Sequence, residues 1–251
     1  MPSISAVIPA HNEAPIIAST VEAVDETLSR LLDDYEIVVV NDGSSDATPS
    51  IVEDLGRRRP AVRLVSHAVN RGYGAALATG FAAATREYVF LTDGDRQFDV
   101  RELEGFLPLL ASADVVVGYR KPRADPWVRR FYGWGWNLLV NVMFGYTARD
   151  VDCAFKLFRR RVWQSVSVHA RGATFSAEFL IKARRMGFQV KELPVSHLPR
   201  TAGKATGARL DVIARAFWEL FQLWRHLDAE LAADRAAAKT GNTEERSQRA
   251  A

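Results

Sequence analysis

Two aspartates one residue apart, Asp93 and Asp95 in "TDGDRQF", stand directly after the apolar run "YVFL". Carboxylates crowded at one point repel each other unless positive charge sits among them. A hard divalent cation such as Mg²⁺ or Mn²⁺ takes oxygen ligands and keeps positions for substrate phosphates, so the pattern points to a cation shared with a phosphorylated ligand. Two further polar loops, "PAHNE" (Pro9 to Glu13) and "VNDGSSD" (Val40 to Asp46), follow apolar runs in the same way. One such loop is what any turn after a strand contains. Three at one place call for a ligand.

Placing them there is the work of the surrounding elements. "ISAVIPA", "YEIVVV", "VRLVSH" and "EYVFLT" read as strands, with "APIIASTVEAVDETLSRLL", "SIVEDLGRR" and "GYGAALATGFAAAT" as helices between them. That alternation implies βαβ units and a largely parallel sheet. Ligands bind such sheets outside the carboxyl ends of the strands, where all three loops fall. Asp99 and Glu102 have the spacing of a capping pair, predicting a helix over "VRELEGFLPLL" before the strand "ADVVVGYR". An aromatic helix from Trp127 to Phe144, a strand-like "CAFKLFRR", a helix "AEFLIKARRMG" and a strand "FQVKELPVSH" follow. Residues 211–231 place Ile213, Phe217, Leu220, Trp224, Leu227 and Leu231 on one helical stripe, and the Ala-rich, charged run 232–251 reads as a frayed helix passing into a disordered tail.

Composition narrows the class. Hydrophobic residues make up 48% and charged residues 25% of the chain, an ordinary globular balance. The single cysteine, Cys153, makes no internal disulfide, and no apolar leader opens the chain, which points to a cytoplasmic setting. No run reaches the roughly 18 apolar residues of a spanning helix. A net charge of +3, with no basic stripe interleaved with stacking aromatics, excludes nucleic acid as the partner. Residues 127–145, "WVRRFYGWGWNLLVNVMFG", set Trp127, Trp134 and Trp136 among arginines, a mixture suited to a membrane interface. With the stripe at 211–231 they could form a peripheral contact with a membrane or a membrane subunit, although such stripes usually pack on their own domain or a partner helix.

Taken in order, "VIPAHNE", "VVVNDGSSDAT", "NRGYGAALATGF", "FLTDGDRQF", "VGYR", "DVDCAFKLFRR" and "PRTAGKATG" resemble the family-2 inverting glycosyltransferases of GT-A fold. They are most similar to the dolichyl- or polyprenyl-phosphate sugar synthases. The resemblance implies an α/β fold, a Rossmann-like nucleotide-binding mixed sheet flanked by helices over residues 1–210, with the amphipathic helix appended. It implies a nucleotide-sugar donor, Mg²⁺ or Mn²⁺, and a polyprenyl or dolichyl phosphate acceptor. Carried over by position, Pro9, His11, Glu13 and Asp42 line the base and ribose pocket, and Asn70, Arg71 and Gly72 close it. Asp93 faces the nucleotide, and Asp93, Asp95 and Gln97 form the metal set. The chain departs from mannosyl members at Phe98-Asp99, where His-Pro is common, and at Ala154 and Ala205, where Gly and Ser are common. Those departures leave the reaction class alone and the sugar open.

A phosphate monoester, with a second pKa of about 6, attacks without a general base and needs cations instead. Arg120 in "VGYR" and Arg200 with Lys204 in "PRTAGK" match family positions and would supply them. A hydroxyl acceptor would need a base, for which Asp152 is the candidate, and Asp152 reads equally well as the partner of a nearby arginine. His197 could face the acceptor, whereas His67, His169 and His226 read as ordinary structural or surface residues. Two rival functions stay open: transfer to a hydroxyl of a glycan or small molecule, and a catalytically silent nucleotide-sugar-binding subunit.

Overall fold

The computed structural model describes residues 2–123, 127–172, 174–199 and 210–250. Seven strands form one sheet: β1 (Ile4–Ala10), β2 (Tyr35–Asp42), β3 (Val62–His67), β4 (Tyr88–Leu91), β5 (Val115–Arg123), β6 (Lys156–Arg159) and β7 (Val190–His197). Their order is β3-β2-β1-β4-β6-β5-β7. The first four run parallel, as the alternating pattern requires, and β5 runs parallel to β7. The expectation of a largely parallel sheet meets one exception. β6 is antiparallel to both β4 and β5, which makes the sheet mixed.

Helices cover both faces. On one side α1 (Ile17–Leu31) and α2 (Thr48–Arg58) bury Val21, Val24, Leu28, Val52 and Leu55. On the other, α3 (Tyr73–Ala83), α4 (Trp127–Phe144), α5 (Arg160–Ser165), α6 (Phe175–Arg185) and α7 (Leu210–Ala250) enclose a second core around Phe81, Phe158 and Phe179. Phe81 meets Phe158 edge-on at 5.0 Å, a favoured aromatic geometry. Strands covered on both faces are near-continuously apolar, which is why β1 and β2 read so plainly in the sequence.

Three expectations change. The helix over 100–110 is two 3-10 segments, Val100–Gly105 and Leu107–Ala111, because Gly105 and Pro108 disfavour a continuous α-helix. Asp99 does cap, accepting from the Arg101 N–H at 3.1 Å, but Glu102 turns away and accepts from the Ser196 N–H at 2.9 Å. On α7 the stripe is rotated: Ala216, Leu220, Leu223, Leu227 and Leu231 are buried, while Phe217 and Trp224 face outward with Trp218 and Phe221. The helix also continues past residue 231, through a run rich in the strong helix formers Ala, Arg, Glu and Lys. Asp234 there is buried and accepts from the Ser167 N–H at 3.2 Å.

Candidate active site

The carboxyl ends of β1, β2 and β4 release the three acidic loops side by side, and backbone packs directly on backbone between them. Gly43 adopts φ +66°, and a Cβ there would lie 2.3 Å from the Asn70 nitrogen, so glycine alone lets loop 43–46 meet loop 69–72. Gly74 is required in the same way, since its Cβ would strike the Arg171 carbonyl carbon at 2.8 Å. Close packing therefore accounts for that second glycine.

Asp42 is the centre of the first group. Its Oδ1 accepts from the Arg71 N–H at 2.8 Å and its Oδ2 from the Gly72 N–H at 2.9 Å. His67 Nδ1 lies 2.7 Å from Oδ1, and His67 Nε2 lies 2.9 Å from Thr79 Oγ1. His11 Nδ1 contacts the Asp42 carbonyl oxygen at 2.8 Å. The residues expected around the nucleotide are thus brought together, with Asp42 holding the loop that was expected to close over them. Pro9 is buried, and its carbonyl oxygen lies 3.1 Å from where a Gly94 Cβ would stand. The Glu13 N–H donates to Thr48 Oγ1 at 2.9 Å, fixing the start of α1.

The second group is the DGD loop. Asp95 is buried and its Oδ1 accepts from the Gln97 N–H at 3.1 Å, while Gly94 O accepts from Thr20 Oγ1 at 2.9 Å. Gln97 Nε2 donates to Leu198 O at 3.1 Å, and the Leu198 N–H donates back to Gln97 O at 2.8 Å. The loop is thereby tied to the segment leading to Arg200, leaving Gln97 Oε1 as the amide atom suited to a cation. Tyr73, the first residue of α3, donates its hydroxyl to Asp93 Oδ1 at 3.0 Å. Burial, then the Asp95 charge, pushes the Asp93 carboxyl up to about 7. Among the described residues no cluster of three His, Cys, Asp or Glu side chains forms a complete cation site. Two carboxylates and an amide suit Mg²⁺ or Mn²⁺, which complete their shells with water and substrate phosphate.

The third group lies across the sheet on β5 and β6. Arg120 grips Asp150 with both arms of its fork, Nε to Oδ2 at 2.6 Å and Nη2 to Oδ1 at 2.7 Å. Burial opposes the Arg120 charge, but the hydrogen bonds and charge of Asp150, together with other nearby acids, outweigh it and raise the pKa. The arginine partner is therefore Asp150, two residues before Asp152. Asp152 is exposed as a residue, while its carboxyl sits among protein groups whose desolvation, and then the Asp150 charge, raise its pKa to about 6. Lys156, fully buried on β6, donates to Cys153 O and, at 3.4 Å, to Ser176 Oγ. Burial lowers its pKa against the pull of neighbouring acids. Arg200 and Lys204 lie outside the described residues. His197 is buried at the end of β7 and packs edge-on to Phe98 with ring centroids 5.7 Å apart.

Four residues here escape the sequence reading: Tyr73, Asp150, Lys156 and the clamping role of His67. Lys156 had a signal, a lone charge between Phe155 and Leu157 in a strand, because lysine is almost never buried without partners.

Replacing Asp42 by Ala leaves two loop N–H groups and His67 without their acceptor, each loss worth about 1–3 kcal/mol. Affinity for UDP or GDP with Mn²⁺, read by calorimetry, should fall at least about tenfold together with a lower Tm. A lowered Tm with unchanged nucleotide affinity would confine Asp42 to folding.

An open sheet ordered 3-2-1-4 in its first half, with acidic loops at the carboxyl ends, defines an α/β protein of the kind whose ligands bind at that edge. The chain belongs to glycosyl transferase family 2, whose model matches residues 5–166. It is 31% identical over 209 residues to a dolichyl-phosphate beta-glucosyltransferase of Trichomonas vaginalis, covering 75% of this chain and 62% of that protein. Full-length coverage is better with an undecaprenyl-phosphate mannosyltransferase of Micrococcus luteus, 25% identical over 90% of this chain and 97% of that one. Among solved structures, glucosyl-3-phosphoglycerate synthase from Mycobacterium tuberculosis, in complex with Mn²⁺, UDP and phosphoglyceric acid, superposes with a TM-score of 0.67. That pair shares 19% identity over 93% of this chain and 78% of the other, a likeness of fold. The chain spans less than two thirds of the length of the Trichomonas vaginalis protein, and its mixed sheet with flanking helices is the GT-A architecture expected from the sequence.

Proposed function

We propose that this chain transfers a sugar, with inversion, from a GDP- or UDP-sugar to a polyprenyl or dolichyl phosphate. The observation that carries the reading is the placement of the Asp93–Asp95 loop after β4 and of the Arg120–Asp150 pair on β5 and the loop leading into β6, with β6 lying between the two strands. The names of the relatives in Trichomonas vaginalis and Micrococcus luteus support the acceptor class. Asp93, Asp95 and Gln97 would hold Mg²⁺ or Mn²⁺, which neutralises charge on a departing diphosphate. Loop 70–72, fixed by Asp42, would close on the nucleotide. Arg120, Arg200 and Lys204 would hold the acceptor phosphate, which attacks as its own dianion. Residues 1–210 would make up the catalytic domain.

Among the described residues no helix is long and apolar enough to cross a membrane. The proposed lipid contact lies instead on exposed aromatic faces. On α4 these are Trp127, Phe131, Trp134 and Leu138, and on α7 Phe217, Trp218, Phe221 and Trp224. Trp136 and Phe217, with ring centroids 6.1 Å apart, join the two helices into one surface. Its amphipathic composition suits a cytoplasmic membrane surface carrying the acceptor.

One observation favours a second reading. Asp152 is an exposed residue whose carboxyl has a raised pKa, the property of a general base for a hydroxyl acceptor. The test is a panel of GDP- and UDP-sugars with polyprenyl phosphate vesicles or free glycans and Mg²⁺ or Mn²⁺, following label into lipid. Label in lipid with one donor is the expected result. Label only in glycan would establish the hydroxyl acceptor, and donor binding with neither product would establish a silent binding subunit.

A further inference from the structure

Asparagine is a poor choice inside a helix, where straight-chain residues and alanine are favoured and its amide competes for backbone groups. α4 nevertheless carries two, Asn137 and Asn141, one turn apart on its inner face. Both side-chain oxygens, and the Asn141 amide nitrogen, are spent on the loop that follows. Asn141 Oδ1 accepts from the Thr147 N–H at 2.7 Å, and its Nδ2 donates to Ala148 O at 3.1 Å. Asn137 Nδ2 donates to Gly133 O at 2.9 Å, which orients the side chain, and its Oδ1 accepts from the Val151 N–H at 2.9 Å. Val151 is buried between Asp150, which holds the Arg120 fork, and the exposed Asp152, whose charge also acts on Arg120. The next peptide is fixed from the other side by Lys156, donating to Cys153 O.

We infer that Asn137 is a positioning residue for the acceptor side of the reaction: through the Val151 N–H it sets the 150–152 peptide and with it Arg120 and Asp152. The inference rests on the proposed acceptor-binding role of Arg120. Asn141 bonds residues 147 and 148, three and two residues before Asp150, and not the 150–152 peptide itself, and serves as the matched control. The outer face of the same helix bears the aromatic stripe, so one element links the proposed lipid surface to the acceptor loop.

The test compares Asn137→Ala and Asn141→Ala in the full chain. Three readouts are taken: polyprenyl phosphate kinetics, calorimetric affinity for UDP or GDP with Mn²⁺, and amide hydrogen exchange. Losing an acceptor to a buried N–H should raise the polyprenyl phosphate KM about tenfold in Asn137→Ala. Nucleotide affinity should stay within about twofold, because that site is separate. Exchange should quicken at residues 149–153 and not at 70–73. Asn141→Ala should lower Tm comparably while leaving the acceptor KM within about twofold, because it releases residues 147 and 148 while the Asn137 bond still holds the Val151 N–H. Equal KM shifts in both variants, or unchanged exchange at 149–153 in Asn137→Ala, would overturn the inference. A parent enzyme inactive on polyprenyl phosphate would instead fail the proposed function, and the exchange result would still decide whether Asn137 sets the loop.

Discussion

Replacing Asp95 by Asn should abolish transfer while leaving the fold in place. The asparagine oxygen can still accept from the Gln97 N–H, as Asp95 Oδ1 does at 3.1 Å, so that hydrogen bond survives while the charge is removed. Removing one electrostatic contact to a transition state costs roughly 10²–10³ in rate. Asp95→Ala should be as inactive and slightly less stable, by about 1 kcal/mol for the lost bond. EDTA should mimic both, and full activity in EDTA would remove the metal from the proposal. The neighbouring Asp93 adds a pH signature. Its pKa in the ligand-free protein is raised to about 7 by burial and by Asp95, so below that pH it holds a proton that a bound cation must expel. Binding of Mn²⁺ with nucleotide should therefore release a proton near pH 6. Affinity should rise with pH and level above about 7. Calorimetry in two buffers of different ionisation enthalpy reads that proton directly. Its absence would leave Asp93 outside the cation site.

These expectations were legible in the sequence to different depths. The sheet edge was plain because strand, loop and helix alternate and each acidic loop follows an apolar run; hydrophobic periodicity alone put Asp42, Asp93 and Asp95 on one side. The task of each carboxylate was not. Asp42 takes the Arg71 and Gly72 N–H groups, and nothing within a local window tells a carboxylate that faces a ligand from one that locks a neighbouring loop. Asp150 and Asp152 have the same parity along the chain, so spacing could not say which of them meets Arg120. The rotated stripe of α7 has a similar origin. Phe217 and Trp224 are as apolar as Leu223, and only the shape of the groove between α5 and α6 selects the leucine face. At residues 100–111 two local breakers, Gly105 and Pro108, turn one expected helix into two 3-10 segments.

The Arg120–Asp150 pair decides how far the acceptor reading holds, because the same side chain has a structural task and a proposed chemical one. Both partners are largely buried, at 13% and 6% side-chain exposure. Arg120→Ala alone should therefore cost about 3–5 kcal/mol of stability by leaving Asp150 charged and unpaired, and inactivity of that variant would prove nothing. Replacing both partners, Arg120→Met with Asp150→Leu, removes the uncompensated charge, and such exchanges are often neutral for stability. If Arg120 holds the acceptor phosphate, the double variant should melt near the parent, bind donor nucleotide normally, and still lose the 1.5–3 kcal/mol scale of a charge-assisted hydrogen bond. By transition-state arithmetic that is roughly a ten- to hundredfold fall in acceptor-dependent rate. Arg120→Lys should fare little better, since a point charge cannot reproduce the fork on Asp150. Recovery of the acceptor-dependent rate in the double variant would make Arg120 a structural cation only. The phosphate would then have to be held by Arg200 and Lys204, whose neutralisation would carry the whole of the loss.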